Sequence, residues 1–351
     1  MGHREEEAGL VRATVPAPRY DDALARLRER LRQRGMRLIL DFVPNHVAPD
    51  HHWVEQHPDF FVAGTEEKLA AEPQNYRRFG ERVLAYGRDA YFAGWPDTLQ
   101  LNYGNPALQE ALLGELARIA RQCDGVRCDM AMLVLPEVFQ RTWGIAPAPF
   151  WPRATAAVRA QVPGFLFIAE VYWDLEWTLQ QQGFDYTYDK RLYDRLEHRA
   201  ARPVREHLRA GLDFQDRLAR FLENHDEPRA AATFTPEVHR AAAVITFLTP
   251  GLRFFHQGQR EGRKVRISMH LGRGPEELRR LVAVNYAGYQ SQCYVKLPWK
   301  DLAGRRWRLR DRLGTAAYER DGADLATRGL YFDMPAWGYH AFEVSPIQKG
   351  A

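Results

Sequence analysis

Apolar positions recur at helical spacing in residues 21 to 33, DDALARLRERLRQ, where Ala23, Leu24, Leu27 and Leu31 share one face. RGMRLILDFVPNH follows, an apolar run that ends in polar residues and predicts a strand over 37 to 42. The same step repeats. NPALQEALLGELARIARQC carries Pro in its first turn and helical periodicity, and DGVRCDM succeeds it as a short strand. ATAAVRAQV leads into GFLFIAEVYW, and GFDYTYD, RLARFLENHD and GLRFF read as further strands, with the helical TPEVHRAAAVITFL between the last two. The predicted strands are therefore 37 to 42, 125 to 129, 165 to 170, 184 to 188, 219 to 223 and 251 to 255.

Helix and strand alternating over about 220 residues imply a parallel sheet covered by helices, the α/β class. The expected architecture is a (β/α)8-type TIM barrel, incomplete at about six βα units, over residues 1 to 260, with an irregular, aromatic-rich excursion at 48 to 104. A charged, Gly-rich stretch at 261 to 280 reads as a linker. From 281 to 346 apolar and polar residues alternate, with turn signals roughly every 8 to 12 positions, which predicts a small antiparallel β domain.

Polar residues gather where the predicted parallel strands end. Asp41, Asn45 and His46 follow the first, Arg127 and Asp129 end the second, Glu170 ends the third, and Asn224, His225 and Asp226 follow the fifth. In a parallel barrel all strand C-termini open on one face, so these residues are expected to converge.

Composition narrows the classes. With 45% hydrophobic and 12% aromatic residues the chain has ample material for a packed core. Its net charge of +4 comes from 49 basic and 45 acidic residues interspersed along the sequence, without the basic block that tracks a phosphate backbone, so nucleic acid is not expected as a partner. The three cysteines form no CxxC pair, which suits a reducing compartment. No stretch approaches the roughly 18 apolar residues of a membrane span, and the N-terminus is charged, so a soluble, cytoplasmic protein is the expectation.

Three carboxylates on three strand ends, Asp129, Glu170 and Asp226, suit glycosidic chemistry. Cleavage with retention uses a carboxylate nucleophile and a protonated carboxyl about 5 to 5.5 Å apart. DFVPNH, GVRCDMAM, FIAEVYW and FLENHD, in that order, resemble the four signature regions of the α-amylase family of retaining glycoside hydrolases and transglycosidases. That resemblance implies an enzyme acting on α-glucosidic bonds of an oligosaccharide, a polysaccharide or a small α-glucoside. It makes Asp129 the nucleophile, with Arg127 keeping it ionised, and Glu170 the acid/base with a pKa raised by apolar neighbours. It makes Asp226 and His225, beside Asn224, grip sugar hydroxyls and places His46 at the same sugar. Asp41 becomes structural, and Asn45 a candidate for supporting calcium.

Other positions stay open. Trp53, Trp95, Trp173 and Trp177 read equally as sugar-stacking platforms or as buried hydrophobes, with Trp173, just past Glu170, taken as substrate-binding. Asp97 matches another family position, Cys128 reads as a core residue, and His51 and His52 fit a solvated loop better than zinc. Met132 and Leu133 stand where many starch-degrading members carry Lys and His, which argues against a calcium cofactor. The family has two βα units ahead of the strand bearing DFVPNH, and the segment preceding it here has room for neither. Segment 9 to 20, segment 262 to 275 or a second copy of the chain is expected to cover the gap, and self-association follows as an expectation. Hydrolase and transglycosidase remain undivided, and the alternative to both is a truncated or degenerate, non-catalytic carbohydrate-binding relative.

Overall fold

The computed structural model describes residues 17–267, 279–299 and 301–347. The chain divides into two compact units, Met1–Asn224 with Thr233–Gln257, and His225–Ala232 with Gly258–Ala351.

In the first unit α1 (Ala17–Arg32) leads to β1 (Ile39–Phe42), α2 (Pro106–Ala120) to β2 (Gly125–Cys128), and α3 (Pro136–Trp143) and α4 (Trp151–Gln161) to β3 (Leu166–Ala169). Then come α5 (Glu176–Gln181), β4 (Tyr186–Tyr188), α6 (Lys190–Glu197), β5 (Leu218–Arg220), α7 (Pro236–Leu248) and β6 (Leu252–Arg253). The strands form one six-stranded sheet in chain order, every neighbouring pair parallel. This is an incomplete barrel: among the described residues β1 and β6 are edges.

Local chemistry explains the elements. The Asn105 side chain caps α2 by accepting from the Ala107 N–H at 2.9 Å, Pro106 fills the first turn, and Leu108, Leu112, Leu116 and Ala120 are buried at i, i+4 spacing. Gly125 opens β2 because a Cβ there would lie 2.7 Å from the Leu166 carbonyl oxygen and from the Ile39 side chain. Arg28 of α1 bridges to Asp124 at 2.6 Å, and Asp124 also accepts from the Leu38 N–H at 2.8 Å, which ties α1 and β1 to the start of β2. Trp151, Phe165, Phe167 and Phe184 fill the core behind β3, with Trp151 edge-on to Phe184 at 4.8 Å.

The excursion after β1 is more ordered than its sequence suggests. Tyr76–Phe79 pairs antiparallel with Arg82–Ala85, and His46–Val47 with Leu99–Gln100. Phe60, Phe61, Val83, Leu84, Leu99 and Leu101 join the main core. Its apolar runs are too short to register as strands until they pair.

In the second unit a four-stranded antiparallel sheet and a two-stranded one enclose Trp307, Leu309, Phe332, Phe342 and Val344. Along Arg306–Asp311 exposed and buried residues alternate strictly. Segments 9 to 20 and 262 to 275, expected to cover the sheet gap, fall partly outside the described residues, as does the 261 to 280 linker. Among the described residues no helix is long and apolar enough to cross a membrane.

Candidate active site

The register of the parallel ladder decides what faces what. Asp41 aligns with Arg127, Arg127 with Ile168, and Ile168 with Tyr186. Aligned residues and their i+2 successors project from one face of a sheet, so Asp41, Arg127, Asp129, Glu170 and Tyr188 share a face. Phe42, Val126, Cys128, Phe167 and Ala169 project from the other and are buried in the core. The ladder runs one step past the strand ends, with Asp129 N–H donating to the Phe42 carbonyl at 2.9 Å and Glu170 N–H to the Cys128 carbonyl at 3.0 Å. Both carboxylates are therefore fixed at the ends of adjacent strands.

One guanidinium joins them. Arg127 donates through Nη1 to Asp129 Oδ1 at 2.8 Å and Asp41 Oδ1 at 3.2 Å, and through Nη2 to Glu170 Oε2 at 2.7 Å. Its side chain is 11% exposed, Asp129's 22% and Glu170's 4%, whereas Asp41 is 66% exposed and only touches the cluster from solvent. Arg127 also lies 5.8 Å over the Tyr188 ring. Glu170 accepts two further hydrogen bonds, from the Met130 N–H at 2.9 Å and the Tyr172 hydroxyl at 2.8 Å. Met130 reaches it from a left-handed backbone, φ 42°, which a branchless but bulky side chain adopts only under constraint.

The charge count inside this cluster is uneven, one cation against a buried carboxylate, Glu170, and a half-buried one, Asp129. Burial raises the Asp129 carboxyl first, the facing Glu170 charge raises it further, and Arg127 only partly opposes them, so it is pushed up to about 7. Asp129 and Glu170 are joined through Arg127, which donates to both. Arg127 thus does not hold Asp129 fully ionised as expected; the Asp129 carboxyl keeps a proton up to near neutrality. Arg127 itself would lose its proton more readily through burial, but Glu170, Tyr188, Asp129 and Asp41 more than reverse this.

His46 packs against Trp95 with ring centroids 5.3 Å apart, and burial pushes it down to about 4 despite the nearby Asp97 carboxylate. It is a neutral imidazole at physiological pH. Gly87 stands beside it, where a Cβ would lie 2.9 Å from His46 Cβ. Asn45 is buried, with Nδ2 3.4 Å from His46 Nδ1, while its Oδ1 accepts from Gln100 Nε2 at 3.0 Å. Its amide oxygen is engaged by Gln100 rather than presented as a free calcium ligand. Among the described residues no group of three or more His, Cys, Asp or Glu side chains could hold a metal ion.

The remaining expected residues divide. Asn224, buried, ends the first unit; His225 and Asp226 belong to the second, where His225 Nε2 lies 3.1 Å from Asp226 Oδ2. Trp53 is a core residue edge-on to Phe60 at 5.3 Å, and Trp177 is 45% exposed against Phe214. Trp173 is half-buried and, with Asp174, adopts a left-handed backbone at φ 64° and 63°. Sequence reasoning missed Tyr172 and Tyr188. Tyr188 ends a predicted strand exactly as Glu170 does, so the signal was there; Tyr172 carries none until its hydroxyl is seen on Glu170.

Fold and strand-end carboxylates together define an incomplete parallel β/α-barrel protein. The family model described as "Alpha amylase, catalytic domain" matches residues 18–300. The chain belongs to the α-amylase family. It is 26% identical over 246 residues to Alpha-amylase MalA of Haloarcula japonica, covering 68% of this chain and 33% of that protein. Over 254 residues it is 22% identical to Alpha-amylase 3 of Dictyoglomus thermophilum, covering 66% and 48%. The chain therefore spans between a third and a half of these relatives. The solved structure of cyclic α-maltosyl-(1→6)-maltose hydrolase from Arthrobacter globiformis superposes with a TM-score of 0.55 at 14% identity, over 93% of this chain and 78% of that one, a likeness of fold.

Proposed function

We propose that this chain cleaves or transfers α-glucosidic bonds with retention, through a covalent glycosyl intermediate on Asp129, with Glu170 as acid/base. The observation that carries the reading is the single guanidinium of Arg127 bridging both carboxylates at adjacent strand ends. Two carboxyls held by one guanidinium lie close together, which favours the retaining separation, about 5 to 5.5 Å, over the roughly 6.5 to 9.5 Å that leaves room for water in inverting enzymes.

This chemistry needs one proton on the two carboxyls. The working form carries it on Glu170, which gives it to the departing glycosidic oxygen as Asp129 attacks the anomeric carbon. Glu170 then takes a proton from the acceptor, water or a sugar hydroxyl, as the ester to Asp129 breaks. Neutral His46 offers hydrogen bonds without adding charge. Asp226, His225 and Asn224 are proposed to grip ring hydroxyls on the residue-by-residue match to FLENHD alone. The substrate class, α-linked glucose chains or small α-glucosides, follows the family, and a cytoplasmic location and self-association stand as proposals with it.

The test is incubation of the purified chain with maltooligosaccharides, sucrose and trehalose, with products resolved by anomeric configuration. An α-configured first product, lost in Asp129→Asn and Glu170→Gln, is expected. A β-configured first product, or turnover that survives Asp129→Asn, would exclude the mechanism.

A further inference from the structure

The guanidinium that joins the two carboxylates is anchored at few points. Arg127 Nε is buried and has no hydrogen-bond partner among the described residues, so every hydrogen bond of the head group leaves from its two Nη atoms. Three carboxylates draw on those atoms, Asp41, Asp129 and Glu170, and competing acceptors do not by themselves fix one position. The remaining contact is the buried Tyr188 ring, 5.8 Å from the guanidinium carbon. That ring is braced from the same face of the sheet. Tyr188 aligns with Ala219 and Ala219 with Leu252, so Phe221 and Phe254, two residues further along, project beside it. Their rings stand 5.4 and 5.7 Å from Tyr188 and 6.0 Å from each other. The Phe254 N–H donates to the Arg220 carbonyl at 2.9 Å, which carries the ladder one step past β6 and sets that ring in register. Packed rings therefore run from the last strand of the sheet to the guanidinium. A packing role accounts for the three rings, but not for the cation set against one of them.

We propose that Tyr188 is a positioning residue: its ring, braced by Phe221 and Phe254, holds the Arg127 guanidinium in the fork between Asp129 and Glu170 and so sets the charge balance of the pair. The inference rests on the retaining reading above. A neutral aromatic ring attracts the cation without adding a charge of its own, and burial pushes the Tyr188 hydroxyl up to about 12, so the ring stays neutral at working pH. Removing the ring frees the guanidinium to drift toward Asp41, which is 66% exposed and already accepts from Nη1. Asp129, raised by burial and by Glu170, then loses part of the one cation that opposes them. Its proton is held to a higher pH as a result.

The experiment compares the unaltered chain with Tyr188→Leu and Tyr188→Phe on α-glucosyl fluoride and maltotetraose, over about pH 5 to 9. In Tyr188→Leu, kcat should fall about tenfold on both substrates with KM within about twofold, the scale of one desolvated cation–π contact. The alkaline limb of its pH profile should move up by about half a unit or more. Tyr188→Phe keeps the ring and should recover most of the loss, with the limb in place. A residue that only packs the core would lower activity at every pH and leave the limb where it was. A limb that stays or moves down in Tyr188→Leu, or a loss in Tyr188→Phe as large as in Tyr188→Leu, would overturn the proposal. Thermal unfolding establishes that each variant is folded. Where Tyr188→Leu is not, Tyr188→Met, unbranched and without a ring, is read against the same outcomes. If the unaltered chain turns over neither substrate, the retaining reading fails separately, and the guanidinium's position is judged by carbon NMR titration of the Asp129 carboxyl. A midpoint raised in Tyr188→Leu but not in Tyr188→Phe supports the proposal, and equal midpoints in all three overturn it.

Discussion

Replacing Asp129 by Asn should make the first unit more stable, and only at high pH. In an unfolded chain an aspartate titrates near 3.9, so holding Asp129 at about 7 in the fold is a shift of about 3 units, or about 4 kcal/mol at 1.36 kcal/mol per unit. The sign follows from linkage. A carboxyl whose folded value is raised has its stability contribution complete below about 4, and loses it progressively as pH rises through about 7. Asn keeps an acceptor for Arg127 Nη1 and removes the second carboxylate charge from beside Glu170. Because the two carboxyls interact, about 4 kcal/mol is the ceiling, and a gain of about 2 to 4 kcal/mol at pH 8 is expected. That corresponds to a rise in Tm on the order of 5 to 10 °C for a unit of this size. Thermal and urea unfolding at pH 4, 6 and 8 would measure it, with the two units' transitions followed separately. At pH 4 the variant and the parent should coincide. A variant no more stable than the parent at pH 8, or a gain as large at pH 4, would refute the electrostatic account of the pair.

Asp311 in the second unit supplies the opposite sign: its hydrogen bond with His340, at 2.7 Å, is the main cause pushing it down to about 2, so Asp311→Asn should destabilise that unit above about pH 4 and cease to matter as pH falls through about 2. Unfolding curves across that range decide it. Activity of the parent on an α-glucoside should decline as pH rises past about 7, where Asp129 gives up the proton that bound substrate would pass to Glu170, and a plateau extending to pH 9 would contradict the assignment. Stability should be insensitive to EDTA, since the Asn45 amide oxygen is engaged by Gln100, and a Tm drop of many degrees in the chelator would reverse that. Both open edges of the parallel sheet have exposed apolar residues near them, Met36 and Val43 by β1 and Leu248 and Phe255 by β6. Sedimentation should show concentration-dependent association that Leu248→Glu weakens, and a monomer at all concentrations would remove the case for it.

Period and punctuation made the parallel strands legible, because each apolar run is bounded by a helix before it and polar residues after it. The same rule located Asp129 and Glu170, since a strand-end carboxylate is conspicuous. What connects them was less visible. Arg127 stands two residues from Asp129 and was expected to serve it alone, but Glu170, 43 positions away, competes for the same guanidinium, and the strand register that brings it there exists only in the sheet. The excursion's hairpin was hidden because four-residue strands carry too little periodicity to be told from coil. Arg141, 5.5 Å over the Tyr91 ring, joins positions 50 apart with no shared motif, and no local signal marks such a contact.

The electrostatics of the site tie its instability to its chemistry. A buried carboxylate and a half-buried one facing one half-buried guanidinium leave a surplus negative charge in a poorly solvated place, and the fold relieves it by holding a proton on Asp129. The proposed retaining chemistry requires that composition: a second cation would favour ionising both groups and leave no acid, while removing Arg127 would leave the pair's negative charge uncompensated and the nucleophile unheld. Arg127→Met should therefore abolish turnover even with both carboxylates intact. It should also fail to recover the stability that Asp129→Asn gains, because it strands the charge that Asp129→Asn removes. Tyr172 and the Met130 N–H bias where the proton rests, since both donate to Glu170 and neither to Asp129. In the substrate-free fold they favour the proton on Asp129. Bound sugar must therefore move that proton from Asp129 to Glu170 before the glycosidic bond can break, which makes Tyr172 the residue whose replacement by Phe should shift the pH profile without removing either reacting group.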